Sequence, residues 1–202
     1  MEKLTKTAAR LGTLFRVLQK IELVAMIVIV CVMTVLTIVN AVNPDAIIGE
    51  GLNIVALGAL EIELALDYTP TNAAILGYAW ISVGFGIAWG IVLYIGFGIL
   101  RRLLEPMTEG NPFHPDTTRY IKKLAVLSLI LGILDNIFSA VDTFCALQFF
   151  RLDRLMESGI IRRISVDYKL DLTFLVVFFV LLLVSYIFDY GTKLQKLDDE
   201  TL

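Results

Sequence analysis

The chain has 202 residues, of which 57% are hydrophobic and 18% charged, and its mean hydropathy is +0.79. Soluble globular domains have about a quarter of their residues charged, so this composition excludes an ordinary soluble domain and favours the lipid bilayer as a partner. Seventeen Lys and Arg against 20 Asp and Glu give a formal net charge of −3. Because no long run of one sign occurs, we expect no direct nucleic-acid binding.

Four apolar stretches predict membrane-spanning helices at residues 23–42, 73–100, 124–150 and 172–188. The first has no charged residue over 20 positions, and a helix of about that length crosses the roughly 30 Å hydrocarbon core. The connecting segments are too short for a large soluble domain, which predicts one membrane domain over residues 1–202. The predicted fold class is an all-α membrane protein, a four-transmembrane-helix bundle.

The distribution of Lys and Arg predicts the orientation of these spans. Twelve of the 17 lie in residues 1–22, 101–123 and 189–202, whereas 43–72 has none and 151–171 has five. Because cytoplasmic connections retain positive charge, we expect a multi-pass protein of a bacterial plasma membrane with both termini in the cytoplasm. Apolar residues at helical spacing in the first segment predict an amphipathic helix, which either lies along the inner leaflet or extends the first span.

The two outward loops alternate apolar and polar residues, as strands do, at residues 60–68 and 163–172. Glu61 and Glu63 fall on the polar positions of the first, and Arg163 on those of the second, so pairing would place unlike charges together. Residues 53–57 could add a further strand. We predict a small extracytoplasmic β cap, against the alternative that both loops lie on the bilayer surface.

Span three contains carboxylates, which are costly in hydrocarbon and normally face a partner or water. Asp135 and Asp142 lie two helical turns apart on one face, with Asn136 and Ser139 nearby. This intramembrane polar cluster predicts either a cation or proton site, or a structural set of hydrogen bonds between helices.

Span two has small residues at every fourth position, namely Ser82, Gly86 and Gly90. Such a face lets two helices approach closely, so we interpret it as a helix-packing face.

No residue pattern indicates an enzyme, a cofactor or a metal site. His114 is the single histidine, and the aspartates of span three are predicted at a different depth, so no catalytic set assembles. Pro112 and Pro115 predict a turn beside His114, and Asp116 or Thr117 is predicted to cap the following helix.

Two cytoplasmic motifs resemble a bacterial membrane family known as domain of unknown function 2975. Residues 110–113 read Gly-Asn-Pro-Phe before a basic helix start, and residues 190–195 read Tyr-Gly-Thr-Lys-Leu-Gln before Asp-Asp-Glu-Thr-Leu at the end. Lys196 departs from the family's pattern, in which an acidic residue often follows Leu-Gln. The residues that the resemblance marks for partner docking are Gly110, Pro112, Phe113, Arg119, Lys122, Lys123, Leu194, Gln195, Asp198 and Thr201.

Members of that family are often encoded beside a small helix-turn-helix regulator. The resemblance therefore implies a regulatory or sensory membrane protein that binds such a regulator on its cytoplasmic side. The alternatives are a small proton- or cation-coupled transporter using Asp135 and Asp142, and an immunity protein that binds a peptide toxin. The sequence is also compatible with a homo-oligomer.

Overall fold

The computed structural model describes residues 2–43, 54–57, 60–64, 71–110, 113–149, 161–166 and 170–201. The described residues form four helices and three strands. The helices are α1 (Glu2–Val42), α2 (Asn72–Thr108), α3 (Pro115–Phe149) and α4 (Thr173–Thr201), and the strands are β1 (Ile54–Leu57), β2 (Leu60–Leu64) and β3 (Ile161–Val166). All four helices are long and apolar enough to cross a membrane, which confirms the predicted number of spans.

The helices extend well beyond the apolar stretches that predict them. Helix α1 runs without a break over 41 residues, about 60 Å at 1.5 Å per residue and so about twice the hydrocarbon thickness. The first segment is therefore continuous with the first span, which favours the extension over a separate helix on the inner leaflet. Likewise α2 continues to Thr108 and α4 to Thr201, so most described residues of the predicted cytoplasmic segments are helical.

Large apolar side chains on every helix are exposed on the surface of the protein. Ile38 of α1 is 58% exposed, and Leu183 of α4 is 63% exposed, although both lie within predicted spans. Contiguous apolar surface of this kind is unfavourable in water and stable in hydrocarbon. The exterior of the helices thus agrees with the membrane-spanning lengths.

The chain divides into two compact units. Unit 1 contains residues 1–25, 89–134 and 171–202, and it includes the two ends of the chain and α4. Unit 2 contains residues 26–88 and 135–170, and it includes the three strands. Each helix except α4 contributes one part to each unit.

The strands form one antiparallel sheet in the order β1, β2, β3. Strand β2 pairs with β3 so that Glu63 lies opposite Arg163 and Glu61 opposite Ser165. The register shifts between Glu63 and Leu64, whose partner is Ile161. The sheet joins parts of the two predicted outward loops through their backbones, and its position as an extracytoplasmic cap stays a prediction.

The strands differ in extent from the alternating segments. Strand β3 ends at Val166, and residues 170–172 are described without strand structure, so the predicted strand end at Leu172 is wrong. The reason is local, because the Asp171 carboxylate accepts a hydrogen bond from the Thr173 backbone N–H at 2.8 Å. This contact caps α4 and ends the extended segment. Residues 65–68 and 167–169, parts of both predicted strands, lie outside the described residues.

Close helix packing occurs at two glycines outside the predicted face, whereas Gly86 of that face lies in open space. A Cβ built on Gly86 meets no atom within 4 Å, so Gly86 is not a packing glycine among the described residues. Within unit 1, a Cβ on Gly132 would overlap the Cβ and ring of Phe174, and one on Gly96 would lie 3.0 Å from Leu127. The missing side chain of Gly132 therefore lets α4 pack closely against α3, and that of Gly96 lets α3 pack closely against α2.

Candidate functional site

The two motifs that resemble a known family contact each other in unit 1. The Phe113 ring lies against Gly191, where a built Cβ would come within 2.5 Å of Phe113 Cδ1. The Thr192 hydroxyl lies 2.9 Å from the backbone oxygen of Phe113 and 2.9 Å from that of Phe188, and its single proton is shared between these two acceptors. The Phe113 and Phe188 rings are 5.6 Å apart between centroids. We call this set of contacts the motif contact.

The turn between α2 and α3 positions Phe113 for the motif contact. Gly110 adopts a left-handed backbone, with φ of +82°, just beyond the end of α2. Glycine reaches this region without the steric cost that a Cβ adds, and it is the usual residue where a helix ends. Helix α3 then starts at Pro115, whose fixed φ suits a first helical position.

The cap of α3 differs from the prediction. The Asp116 backbone N–H donates to His114 Nδ1 at 3.2 Å, so the imidazole rather than Asp116 or Thr117 caps this helix. The hydroxyl of Thr117 is instead buried without a hydrogen-bond partner among the described residues. His114 thus has a structural role next to Phe113.

The basic docking candidates lie along the first turns of α3. Arg119 is exposed and has no ion pair among the described residues. Lys122 Nζ lies 5.9 Å from the Tyr186 ring centroid of α4, and Lys123 Nζ lies 5.5 Å from that of Tyr120. All three basic residues are exposed.

The end of α4 presents apolar side chains next to the motif contact. Tyr190 is 65% exposed, Leu194 48% and Leu197 59%. Gln195 is also exposed, and Asp189 binds Lys193 through a 2.9 Å ion pair one turn apart. The backbones of Asp198 and Thr201 are helical, whereas their side chains, like residue Pro112, lie outside the described part of the chain.

The members of the polar cluster of span three differ in burial and in hydrogen-bond partners. In unit 2, Asp142 is only 2% exposed and accepts a hydrogen bond of 2.5 Å from the Tyr78 hydroxyl of α2. Asp135 is exposed on the helix surface, and Asn136 is half-buried. Ser139 accepts a bond from Thr143 through its backbone oxygen. The two aspartates are therefore not brought together around one ion.

Tyr78 is the functional candidate that sequence reasoning missed. A tyrosine in an apolar helix gives little indication of its partner, because its ring suits hydrocarbon as well as a protein core. Ser82, from the predicted packing face, lies one turn beyond Tyr78 and donates to the Tyr78 backbone oxygen at 3.3 Å. Gly90 is buried, unlike Gly86, and a packing face shared by all three residues stays a prediction.

Comparison with known proteins gives no relative. No family model matches the chain, and no curated protein and no solved structure is significantly similar to it. The resemblance to domain of unknown function 2975 stays a prediction from the two motifs. Among the described residues, no group of three His, Cys, Asp or Glu side chains is placed to hold a metal ion.

Proposed function

We propose that this is a regulatory or sensory membrane protein whose cytoplasmic side binds a protein partner. The observation that carries this proposal is the motif contact between Phe113 and Gly191. Two segments about 80 positions apart in the chain combine there into one surface. We call that surface the docking surface, and define it by Phe113, Arg119, Tyr190, Leu194 and Leu197.

The chemistry of the docking surface supports a protein partner. Tyr190, Leu194 and Leu197 are exposed on the helix end that follows the predicted span 172–188, which we place on the cytoplasmic side. Exposed aromatic and apolar side chains with basic residues beside them are typical of protein interaction sites. A partner whose binding face carries acidic and apolar side chains would fit the docking surface. The family resemblance implies that this partner is a small helix-turn-helix regulator.

The sheet supports the sensory part of the proposal. We place it on the extracytoplasmic side, since the orientation predicted from Lys and Arg puts both loops there. A signal that binds the sheet would act on unit 2, and α1, α2 and α3 continue from unit 2 into unit 1. Continuous helices offer a physical connection between such a signal and the docking surface.

Co-purification tests the proposal. The full chain is solubilised from its native host, and the associated proteins are identified for wild type, Leu194→Ser with Leu197→Ser, and the control Leu11→Ser. Leu11 is also an exposed leucine in unit 1, but it lies on α1 outside the docking surface. We expect a DNA-binding protein with wild type and the control, and at least tenfold less of it with the double variant. Recovery of no DNA-binding protein, with no transcript altered by the double variant, would refute the proposal.

One observation favours a second function, proton- or cation-coupled transport. Asp142 is a buried carboxylate in a predicted span, and its hydrogen bond to Tyr78 gives it a defined position. Proteoliposome flux should then fall at least tenfold in Asp142→Asn and remain in Asp135→Asn, because Asp135 lies on the surface. Equal flux in wild type and Asp142→Asn, with the protein folded, would exclude this function.

A further inference from the structure

Unit 1 contains a cavity that neither the proposed docking nor the transport function uses. Its volume is about 460 Å³, and it lies between the first turns of α1 and the last turns of α2. Sites for small molecules are typically about 300 to 1,000 Å³, so the cavity is large enough for a polar headgroup. Its lining includes Gly12, Thr13, Arg16, Arg101, Leu104 and Glu105.

The charges in this cavity are unbalanced. Arg16 and Arg101 line it from two different helices, and neither forms an ion pair among the described residues. Glu105 also lines the cavity, one helical turn after Arg101, yet it forms no ion pair with either arginine. A second cavity of about 230 Å³ shares Arg101 and adds Arg102 and Gln19. Two arginines thus line one space, and neither is paired with a carboxylate among the described residues.

The walls of the cavity are held by contacts on the membrane side. The Gln19 side chain donates to the backbone oxygen of Tyr94 at 3.3 Å, and the Phe15 and Phe97 rings stack with centroids 6.2 Å apart. Gly12 adds no side chain to the α1 wall, and a Cβ built there meets no atom within 4 Å. The cavity between α1 and α2 is therefore open at Gly12 and lies next to the packed Phe15 and Phe97 rings.

The position of the cavity identifies the kind of anion. Arg16 precedes the apolar stretch 23–42, and Arg101 directly follows the apolar stretch 73–100. Both arginines therefore lie at the end of predicted hydrocarbon, at the depth where phospholipid headgroups are found. Arg binds phosphate oxygens through two parallel N–H donors, and basic pockets between spans are known to hold lipid headgroups.

We propose that this cavity binds the phosphate-containing headgroup of an anionic phospholipid. The two arginines bind the phosphate, and the acyl chains lie along the apolar surface of α1 and α2. Glu105 lies one turn farther from the apolar stretch, next to the outer side of the bound headgroup. Its carboxylate would repel a second negative charge there, so a headgroup that carries hydroxyl groups is favoured. Phosphatidylglycerol has this chemistry.

The test measures thermal unfolding of the full chain in detergent against increasing short-chain phosphatidylglycerol. Phosphatidylcholine tests whether the headgroup must carry a net negative charge. Inorganic phosphate tests whether free phosphate binds as well as a lipid does. The site variant is Arg16→Gln with Arg101→Gln, and the matched control is Arg10→Gln with Lys20→Gln. Both control residues are exposed cations of unit 1 that line neither cavity and lie outside the docking surface.

We expect phosphatidylglycerol to raise the melting temperature of wild type at concentrations at least tenfold below those that phosphatidylcholine needs. An arginine near anionic lipid contributes about fivefold in affinity, so the site variant should bind about 25-fold more weakly, and the control as wild type. If the site variant does not fold, the single variant Arg16→Gln should still bind about fivefold more weakly. Equal loss in site and control variants overturns the proposal. An equal effect of phosphatidylcholine, or of inorganic phosphate at the same concentration, overturns it as well.

Discussion

Gly191 of α4 lies directly beneath the ring of Phe113, in the turn between α2 and α3, with no room for a methyl group between them. A glycine in a helix interior costs stability relative to alanine, by about 0.5–1 kcal/mol. At Gly191 the missing side chain permits the motif contact, and Thr192 next to it is placed to bond the Phe113 backbone oxygen. Gly191 of α4 thus fixes the position of the turn between α2 and α3.

Gly191→Ala should displace the Phe113 ring, because the added Cβ would lie 2.5 Å from Cδ1 and 2.6 Å from Cε1. Inserting a methyl group into a packed site costs about 1–3 kcal/mol, and we expect the low end since the ring is partly exposed. Thermal unfolding in detergent measures this loss. Gly12→Ala is the control, because open space around Gly12 should make it neutral or stabilising by about 0.5–1 kcal/mol. Equal melting temperatures in the two variants would contradict the motif contact.

Gly132→Ala should destabilise the protein more than Gly191→Ala. The new methyl group would overlap the Cβ of Phe174 as well as its ring, and a Cβ cannot rotate away from the contact. We expect a loss of about 3 kcal/mol or more, since α3 and α4 must separate. Gly86→Ala on α2 is the control, and its unfolding midpoint should lie at no lower a denaturant concentration than that of wild type. The comparison is made by denaturant unfolding, and a smaller loss for Gly132→Ala than for Gly86→Ala would disprove the assigned packing.

The sequence predicts the four helices well and their partners poorly. Uncharged stretches indicate spans because each buried charge in hydrocarbon is costly, which is a property of single segments. The partners of Gly132, Gly191 and Asp142 depend on which helices meet, and regular spacing along one helix does not contain that information. This is why Ser82, Gly86 and Gly90 predicted a packing face and Gly86 proved open.

The docking candidates show the same division between local and long-range information. Pro112 and Pro115 predicted a turn beside His114, but the contact of Phe113 with Gly191 joins distant motifs and follows only from the folded chain. The sequence also assigned residues 101–123 to a loop, although α2 and α3 extend into it. A fall in hydropathy marks the end of a membrane span, whereas a helix ends only where a glycine or a cap stops it.

Tyr78→Phe should leave the Asp142 carboxylate without the hydroxyl that donates to it. Losing one partner of a buried polar pair costs about 1–3 kcal/mol, and more when the remaining group is charged. Denaturant unfolding should show this loss in Tyr78→Phe and much less in Asp142→Asn, whose amide oxygen still accepts the bond. Tyr94→Phe on the same helix is the control, because its exposed hydroxyl has no partner among the described residues. Equal stability of Tyr78→Phe and Tyr94→Phe would show that the pair contributes nothing.

Asp171 should make the start of α4 sensitive to acid. The hydrogen bonds from Thr173 hold the pKa of the exposed Asp171 carboxyl below its usual value. A lowered folded-state pKa gives stability above the unfolded-state pKa, and that stability is lost as the pH falls through the folded-state value. The melting temperature of wild type should exceed that of Asp171→Ala at pH 7, and the difference should shrink below about pH 4. A difference that stays constant from pH 7 to pH 3 would contradict the capping role.

The register of β2 and β3 predicts a specific cross-link between the two loops. Glu63 and Arg163 are direct partners, and side chains opposite each other in an antiparallel pair have Cβ atoms about 4.5–5.5 Å apart. Glu63→Cys with Arg163→Cys should therefore oxidise to a disulfide, in a background where Cys31 and Cys145 are replaced by serine. Ile54 is also a partner of Glu63, but from β1 on the other side.

Ile54→Cys with Arg163→Cys is accordingly the matched control for this cross-link. Its two positions are separated by one strand, about 10 Å, and a disulfide requires Cα atoms closer than about 7 Å. Proteolysis between α2 and α3 followed by non-reducing electrophoresis distinguishes linked from unlinked halves of the chain. Cross-linking of the Glu63 pair alone would establish that the two loops meet with the register described. Equal cross-linking of both pairs would instead mean that the loops collide without a fixed sheet, and the sensory proposal would then lack its structural basis.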